Sequence, residues 1–142
     1  MTEALAQARS ELEAGGFTCV IKHNGNTYTD TRRGVAPLLS LLESEVSYRG
    51  ASAADKVVGA GAAYLYVIMG ITELYAAVVS RPALRILESN AIKVYFGTEA
   101  PHIINRSGDG ICPIEGAVSD AQNAQDALAK IKAKLKQLSE GK

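Results

Sequence analysis

The stretch ITELYAAVVSRPALRILESNAIKVYF, residues 71–96, decides the fold class. Residues 71–79 are rich in β-branched and aromatic side chains, which predicts a buried strand. Ser80-Arg81-Pro82 is typical of a helix start, with a polar cap and a proline in the first turn, and this helix ends near Asn90. Ile92 to Phe96 predicts a further strand. A strand, a helix and a strand in this order indicate a parallel crossover.

The segments on either side predict a hairpin and several more helices. Asn24-Gly25 between two short apolar runs is the strongest short-range hairpin signal. The other predicted elements are helix 2–14, strands 17–22 and 26–31, helix 35–44, a long helix from 52 to about 69, a short helix opened by Cys112-Pro113 and a closing helix 123–138. This order predicts an α/β fold of three layers (α/β/α), with a mixed sheet that begins with an antiparallel hairpin. We expect one domain over residues 1–142, with its core between 17 and 138.

The predicted long helix places two charged residues at its start. Ser52 and Asp55 approximate a capping box, with Asp where Glu or Gln is usual. Asp55 and Lys56 would then lie in the first helical turn, and Gly70 would end the helix. The small residues from Gly59 to Ala63 predict close packing, either against the sheet or against another subunit.

Composition excludes several classes of partner. Apolar residues make up 47% of the 142-residue chain, and 15 basic residues balance 15 acidic ones. Without a net charge there is no long-range field to attract nucleic acid or an anionic membrane, so we expect neither as a partner. Residues 1–14 lack the pattern of a signal peptide, and the most apolar run, 57–69, is too short to span a bilayer. We expect a cytoplasmic protein in which Cys19 and Cys112 are free thiols.

Three stretches of the chain resemble one prokaryotic family that is known only as a domain of unknown function with a cytidine-deaminase-like fold. The stretches are Asp55–Gly59 with the Ala-rich segment after it, Ser80–Leu84, and Asn105–Glu115, of which the last is the most specific. The resemblance extends from about residue 17 to 138. It implies the deaminase-like architecture and candidate positions for a site, but no activity.

The same resemblance implies that the zinc site of true deaminases is lost. Those enzymes take one metal ligand from a His- or Cys-x-Glu motif and two thiolates from Pro-Cys-x-x-Cys. After Pro82, the two cysteine positions hold Ala83 and Ile86, and no His or Cys lies between Gly50 and Met69. We therefore expect no metal and no zinc-dependent deaminase activity.

Five residues are candidates for binding a ligand. The resemblance puts Asp55 and Lys56 where a deaminase has its active site, and Ser80 lies in the equivalent turn of the next helix. Helix starts of this kind favour an anion. Asn105 and Arg106 belong to a polar loop with glycines, in which the arginine is suited to a phosphate or carboxylate. The loop matches neither the Walker pattern nor the dinucleotide fingerprint, so we expect no cofactor. Each residue also has an ordinary interpretation, as a cap, a solvated charge or part of a surface loop.

Three residues are candidates for catalysis. Cys112 precedes Pro113 at a predicted helix start, a position that favours a reactive thiolate. Glu115 in the same turn is a candidate proton acceptor, and Asp55 is a candidate nucleophile or acid/base group. A buried structural cysteine is the more common outcome for such a residue, and Cys19, on an apolar strand face, is predicted to be core.

The sequence leaves three functions open. The favoured one is a metal-free pocket for a nucleotide or related anionic small molecule, lined by the five ligand-binding candidates. The second is a structural domain that forms homo-oligomers through its Gly/Ala-rich helix, with no small ligand. The third is a metal-free enzyme that uses Cys112 or Asp55.

Overall fold

A computed structural model describes residues 1–105 and 107–140 of the chain. Six helices and five strands alternate along most of this length. The helices are α1 (Glu3–Gly15), α2 (Ala36–Glu43), α3 (Ala60–Met69), α4 (Arg81–Ser89), α5 (Pro113–Ala117) and α6 (Ala124–Glu140). The strands are β1 (Cys19–His23), β2 (Asn26–Asp30), β3 (Ser52–Val58), β4 (Glu73–Ser80) and β5 (Lys93–Ala100).

The five strands form one mixed sheet in the order β2-β1-β3-β4-β5. β1 pairs antiparallel with both β2 and β3, whereas β3, β4 and β5 run parallel. The antiparallel hairpin with its turn and the β4–α4–β5 crossover follow from the sequence signals, whereas the β3–α3–β4 crossover was not predicted. Asn24 and Gly25 both have positive φ, at 49° and 79°, as a tight two-residue hairpin turn requires. The predicted mixed α/β sheet is confirmed.

The prediction of one long helix from residue 52 to 69 was wrong in its first half. Residues 52–58 form β3, the central strand of the sheet, and α3 begins only at Ala60. Asp55 and Lys56 therefore lie on a strand and not in a first helical turn, and Ser52 with Asp55 makes no capping box. The side chains at the middle of β3 are small, because both faces of this strand are covered by helices. Ala53 and Ala54 are fully buried.

Helices cover both faces of the sheet. On one face, α1 packs with Leu5, Ala8 and Leu12 against a cluster that includes Tyr75 of β4. On the other face, the larger apolar core joins the sheet to α2, α3, α4 and α6. In the part of the chain that the structure describes, no helix has both the length and the apolar content needed to cross a bilayer.

The Gly/Ala-rich helix α3 lies inside the molecule. It contacts α4 and α6 as neighbours, and its first four residues, from Ala60 to Ala63, are buried. A Cβ atom on Gly61 would lie only 2.5 Å from Cγ2 of Ile114, so the glycine permits close packing within the chain. The small residues of α3 therefore pack within the chain, while homo-oligomer formation stays a prediction.

Candidate functional site

Two parallel strands end at the same edge of the sheet, and each leads directly into a helix. β3 ends at Val58 and α3 follows after Gly59, while β4 ends at Ser80 and α4 follows at once. Ser80 caps α4 as predicted, because its Oγ accepts a hydrogen bond from the N–H of Ala83 at 3.2 Å. In open α/β sheets, ligands bind outside the carboxyl ends of the strands. This edge is therefore the place to examine for a site.

The carboxylate of Glu115 lies at this edge and binds three separate segments. Its Oε2 accepts hydrogen bonds from the N–H of Ala60 at 2.7 Å and from the Oγ of Ser80 at 2.6 Å. Its Oε1 accepts one from the N–H of Ile103 at 2.6 Å. Charge-assisted bonds of this length are strong, and Glu115 is only 4% exposed. The anion position that the sequence predicts at these helix starts is thus occupied by a carboxylate of the chain itself.

Gly59 leaves the space that this carboxylate needs. A Cβ atom built on Gly59 would lie 3.0 Å from Oε2 of Glu115 and 3.1 Å from Cγ1 of Ile103. Any side chain there would press on the carboxylate, on the isoleucine, or on both. The glycine before α3 is therefore matched to the buried glutamate that reaches it from α5.

His102 adds an exposed polar group beside the buried carboxylate. Its Nδ1 lies 3.4 Å from Oε1 of Glu115, and its side chain is 46% exposed, against 3% for that of Glu115. An imidazole that contacts a carboxylate through one ring nitrogen can bind a second group through the other nitrogen. No local signal in the sequence predicts the contact between His102 and Glu115, which are thirteen positions apart.

Asp55 lies on β3 in a different cluster, which is buried. Its Oδ2 accepts a hydrogen bond from the hydroxyl of Tyr66 at 2.7 Å, and that hydroxyl lies 3.5 Å from Sγ of Cys19. Burial raises the pKa of Asp55 to about 7. Burial, with the nearby Asp55 carboxyl, also raises the pKa of both Tyr66 and Cys19. Cys19 is a core residue, as predicted, and its thiol is held neutral.

The remaining ligand-binding candidates are Lys56, Asn105 and Arg106. Lys56 is exposed on β3. The side chain of Asn105 closes its own loop, because Nδ2 donates to Oδ1 of Asp109 at 3.0 Å and Oδ1 accepts from the Asp109 N–H at 3.2 Å. Arg106 lies outside the described residues. The structure therefore joins Ser80 to Glu115 but does not bring Asp55 or Asn105 into contact with that pair.

Cys112 stands immediately before α5, at the cap position that the sequence predicts. Its N–H donates to the carbonyl of Ile103 at 2.8 Å, but its side chain makes no capping hydrogen bond. Both cysteines are free thiols, with Cys19 buried and Cys112 partly so. Glu115, the candidate proton acceptor beside it, is already bound by three donors. Its observed contacts are those of a structural carboxylate.

A comparison with protein-family models identifies the relationship of this chain. A family described as a domain of unknown function, DUF1893, matches residues 7–135. The chain belongs to the DUF1893 family. This confirms the family that the sequence stretches resemble, although the cytidine-deaminase-like fold stays a prediction.

A solved structure shows the same fold as this DUF1893 chain. It is the crystal structure of a DUF1893 family protein, TM1506, from Thermotoga maritima at 2.70 Å resolution. The two chains are 19% identical, with a TM-score of 0.85 over 94% of this chain and 92% of the other. A search of curated proteins finds no match. These comparisons establish family and fold and leave the activity to be argued from the site.

Ala83 and Ile86, the two residues that the predicted deaminase-like fold would put at the thiolate positions, both lie on α4. Ala83 is fully buried in the first turn of α4, and Ile86 follows on the same helix. Neither side chain has an atom that can bind zinc. Among the residues that the structure describes, no three His, Cys, Asp or Glu side chains are grouped as a metal site requires.

Two surface depressions of this family member lie away from the Glu115 carboxylate. One, of about 370 Å³, is lined by the β1–β2 turn together with Arg49 and Ser52, at the opposite end of β3. The other, of about 300 Å³, is lined by residues that include Tyr64, Asn90 and Gln122. Neither contains a residue that the sequence nominated for binding or catalysis.

Proposed function

We propose that this DUF1893 protein binds a nucleotide or a related anionic small molecule at the carboxyl ends of β3 and β4. The observation that carries the proposal is the half-exposed His102 imidazole, held against the buried Glu115 carboxylate between the starts of α3 and α4. Ligand sites of α/β sheets are found at this kind of edge. Zinc-dependent deamination is not part of the proposal, because Ala83 and Ile86, at the thiolate positions that the deaminase resemblance implies, cannot bind zinc.

The recognition chemistry differs from that of a bare helix start. Glu115 already accepts the N–H of Ala60 and the hydroxyl of Ser80, so a phosphate would not take these donors. The exposed side chains at the same edge with N–H groups for an anion are His102, Lys56 on β3, and Arg81 at the first position of α4, whose Nε also donates to Glu99. These side chains are suited to an anion's charged oxygens. Asn105 and Arg106 remain sequence-based candidates on the adjoining loop.

Thermal melting with a panel of nucleotides tests this proposal. A ligand at 100 times its dissociation constant stabilises the folded state by about 2.7 kcal/mol. We expect at least one nucleotide to raise the melting temperature of the unmodified protein, and we expect His102→Ala to lose most of that increase.

The other histidine provides a matched control. His23 lies on the hairpin at the far end of the sheet, where its Nε2 is 3.1 Å from the carbonyl oxygen of Arg49. His23→Ala should keep the full response to the ligand. The proposal fails if no nucleotide raises the melting temperature of the unmodified protein, or if the two histidine variants respond equally.

A further inference from the structure

The strand β5 forms a long, regular and open edge of the sheet. Its pairing with β4 keeps one register from Glu73↔Lys93 to Ser80↔Ala100, with no inserted residue, although Ala77 and Gly97 are not paired. The strand contains no proline, and most of its residues are exposed. Over residues 1–105 and 107–140, the only further backbone hydrogen bond to β5 runs from the Lys93 N–H to the carbonyl of Thr72, on the β4 side. Such an edge is a template for pairing with another strand.

The backbone groups that face outward follow from this hydrogen bond. Because Lys93 directs its N–H toward β4 and successive residues alternate, the N–H and C=O groups of Val94, Phe96 and Thr98 point away from the sheet. Phe96 is at the middle of the strand and is 41% exposed. An incoming strand would therefore be hydrogen-bonded by alternate residues centred on Phe96.

The side chains of β5 are complementary to a second, antiparallel copy of the same strand. With a two-fold axis at Phe96, Lys93 lies opposite Glu99 of the second copy, and Tyr95 lies opposite Gly97. Both charged residues are exposed, and Arg81 Nε donates to Oε2 of Glu99 at 3.0 Å, which leaves Oε1 for a second cation. Opposite charges and an aromatic ring over a glycine both stabilise cross-strand pairs.

We propose that β5 pairs antiparallel with β5 of a second copy of this chain, so that the two sheets become continuous in a two-fold symmetric dimer. The occupant is a second copy because the strand is complementary to itself in both charge and size. In a two-fold interface every contact occurs twice, so the Lys93–Glu99 pair forms on both sides of the axis. The same register places the two Phe96 rings next to each other.

The opposite edge of the sheet lacks this complementarity. β2 is five residues long, and an antiparallel self-pairing centred on Tyr28 would place Asn26 opposite Asp30. The carboxylate of Asp30 is already bound by the Arg32 guanidinium at 2.7 Å. No opposite charges would meet there, so the proposal assigns the interface to β5 alone.

Sedimentation velocity on the full chain, over a range from micromolar to submillimolar concentration, tests the dimer. We expect the unmodified protein to dimerise. Lys93→Glu and Glu99→Lys should each raise the dissociation constant by about tenfold or more, because two like-charged pairs replace two opposite-charged pairs. Both positions are exposed, so circular dichroism should show unchanged folds.

An equal mixture of the two variants gives the decisive comparison. One variant would carry Glu at 93 and 99 and the other Lys at both, so the mixture should associate as a heterodimer although each variant alone does not. A monomeric unmodified protein across the whole range would overturn the proposal. So would single variants that dimerise as the unmodified chain does, or a mixture that stays monomeric.

Discussion

At the scale of single residues, Asp55 carries a carboxyl group whose ionisation opposes folding. Burial raises its pKa from an ordinary 3.8 to about 7. The folded chain therefore holds a proton that the unfolded chain has lost, and the free energy of unfolding decreases as the pH rises from about 4 to about 7. The contribution is fully present at acid pH and is lost above neutrality. Asp55 should therefore lower the free energy of unfolding as the pH rises, and only between about pH 4 and about pH 7.

Replacement of Asp55 by Asn should remove this pH dependence. The amide cannot ionise, and its oxygen still accepts the hydrogen bond from Tyr66. The difference in unfolding free energy between the variant and the unmodified protein should grow by up to about 4 kcal/mol between pH of about 4 and 8. Urea denaturation at a series of pH values measures it. A constant difference over this range would show that Asp55 does not titrate there.

The substitution Tyr66→Phe tests the pKa of Asp55 in a second way. The Tyr66 hydroxyl lowers the pKa of Asp55 by donating to the charged form. Without it, the folded-state pKa of Asp55 is higher, so the decrease in the free energy of unfolding should begin at the same pH and extend to a higher pH. A shift toward lower pH would contradict the proposed contact.

Glu115 should be among the most sensitive positions in the chain. Glu115→Ala would leave the N–H of Ala60, the N–H of Ile103 and the hydroxyl of Ser80 without their acceptor, at a cost of about 3–5 kcal/mol. Glu115→Gln should cost less, because one oxygen remains an acceptor. The exposed Glu45 is the control, and Glu45→Gln should change stability by less than about 0.5 kcal/mol. Equal effects of the three substitutions on chemical denaturation would show that the buried contacts contribute little.

At the scale of elements, the sequence predicts the hairpin, α1 and the β4–α4–β5 crossover because each has a local signal. Asn24-Gly25 fixes the turn, and Ser80 with Pro82 fixes the start of α4. The segment from Ser52 to Val58 has no comparable signal. Its alanines suit a helix, but its position between β1 and β4 makes it a strand, and this tertiary pairing outweighs local propensity.

Only part of the candidate site could be predicted from the sequence, because most of its contacts join distant positions. The cap at Ser80 is local and is read correctly. Glu115 contacts Ala60, which is 55 residues away along the chain, and Ser80, which is 35 residues away. No single sequence shows such contacts. The nearest hint is the acidic residue just after Cys112-Pro113, which by itself is equally consistent with a simple helix-dipole partner.

The packing of α3 against α5 makes a paired prediction about two glycines. Alanine is the better helix former by about 1 kcal/mol, yet Gly61→Ala would place its Cβ 2.5 Å from Cγ2 of Ile114. We expect Gly61→Ala to destabilise the protein by about 1–3 kcal/mol. A Cβ on Gly116 of α5 meets no atom within 4 Å, so Gly116→Ala should be neutral or stabilising. Equal effects in thermal melting would contradict the close packing of α3.

At the scale of the whole molecule, the carboxyl ends of the parallel strands and the β5 edge of the sheet have different proposed roles. At the carboxyl ends, the segment from Ile103 to Glu115 returns over the sheet and ties together the starts of α3 and α4. Along the side, β5 leaves an open edge. The proposed ligand site and the proposed dimer edge share one contact, from Arg81 to Glu99. Lys93 lies at the other end of β5, so Lys93→Glu should keep any nucleotide response that His102→Ala loses.

The most direct test of the central claim is a backbone amide NMR titration with the nucleotide that gives the largest increase in melting temperature. The account predicts saturable shifts concentrated at Ala60, Arg81 and the segment from His102 to Asn105, with little change at the β1–β2 hairpin. Shifts confined to the hairpin or to α6, or no saturable shifts for any nucleotide, would contradict a ligand site at the Glu115–His102 pair.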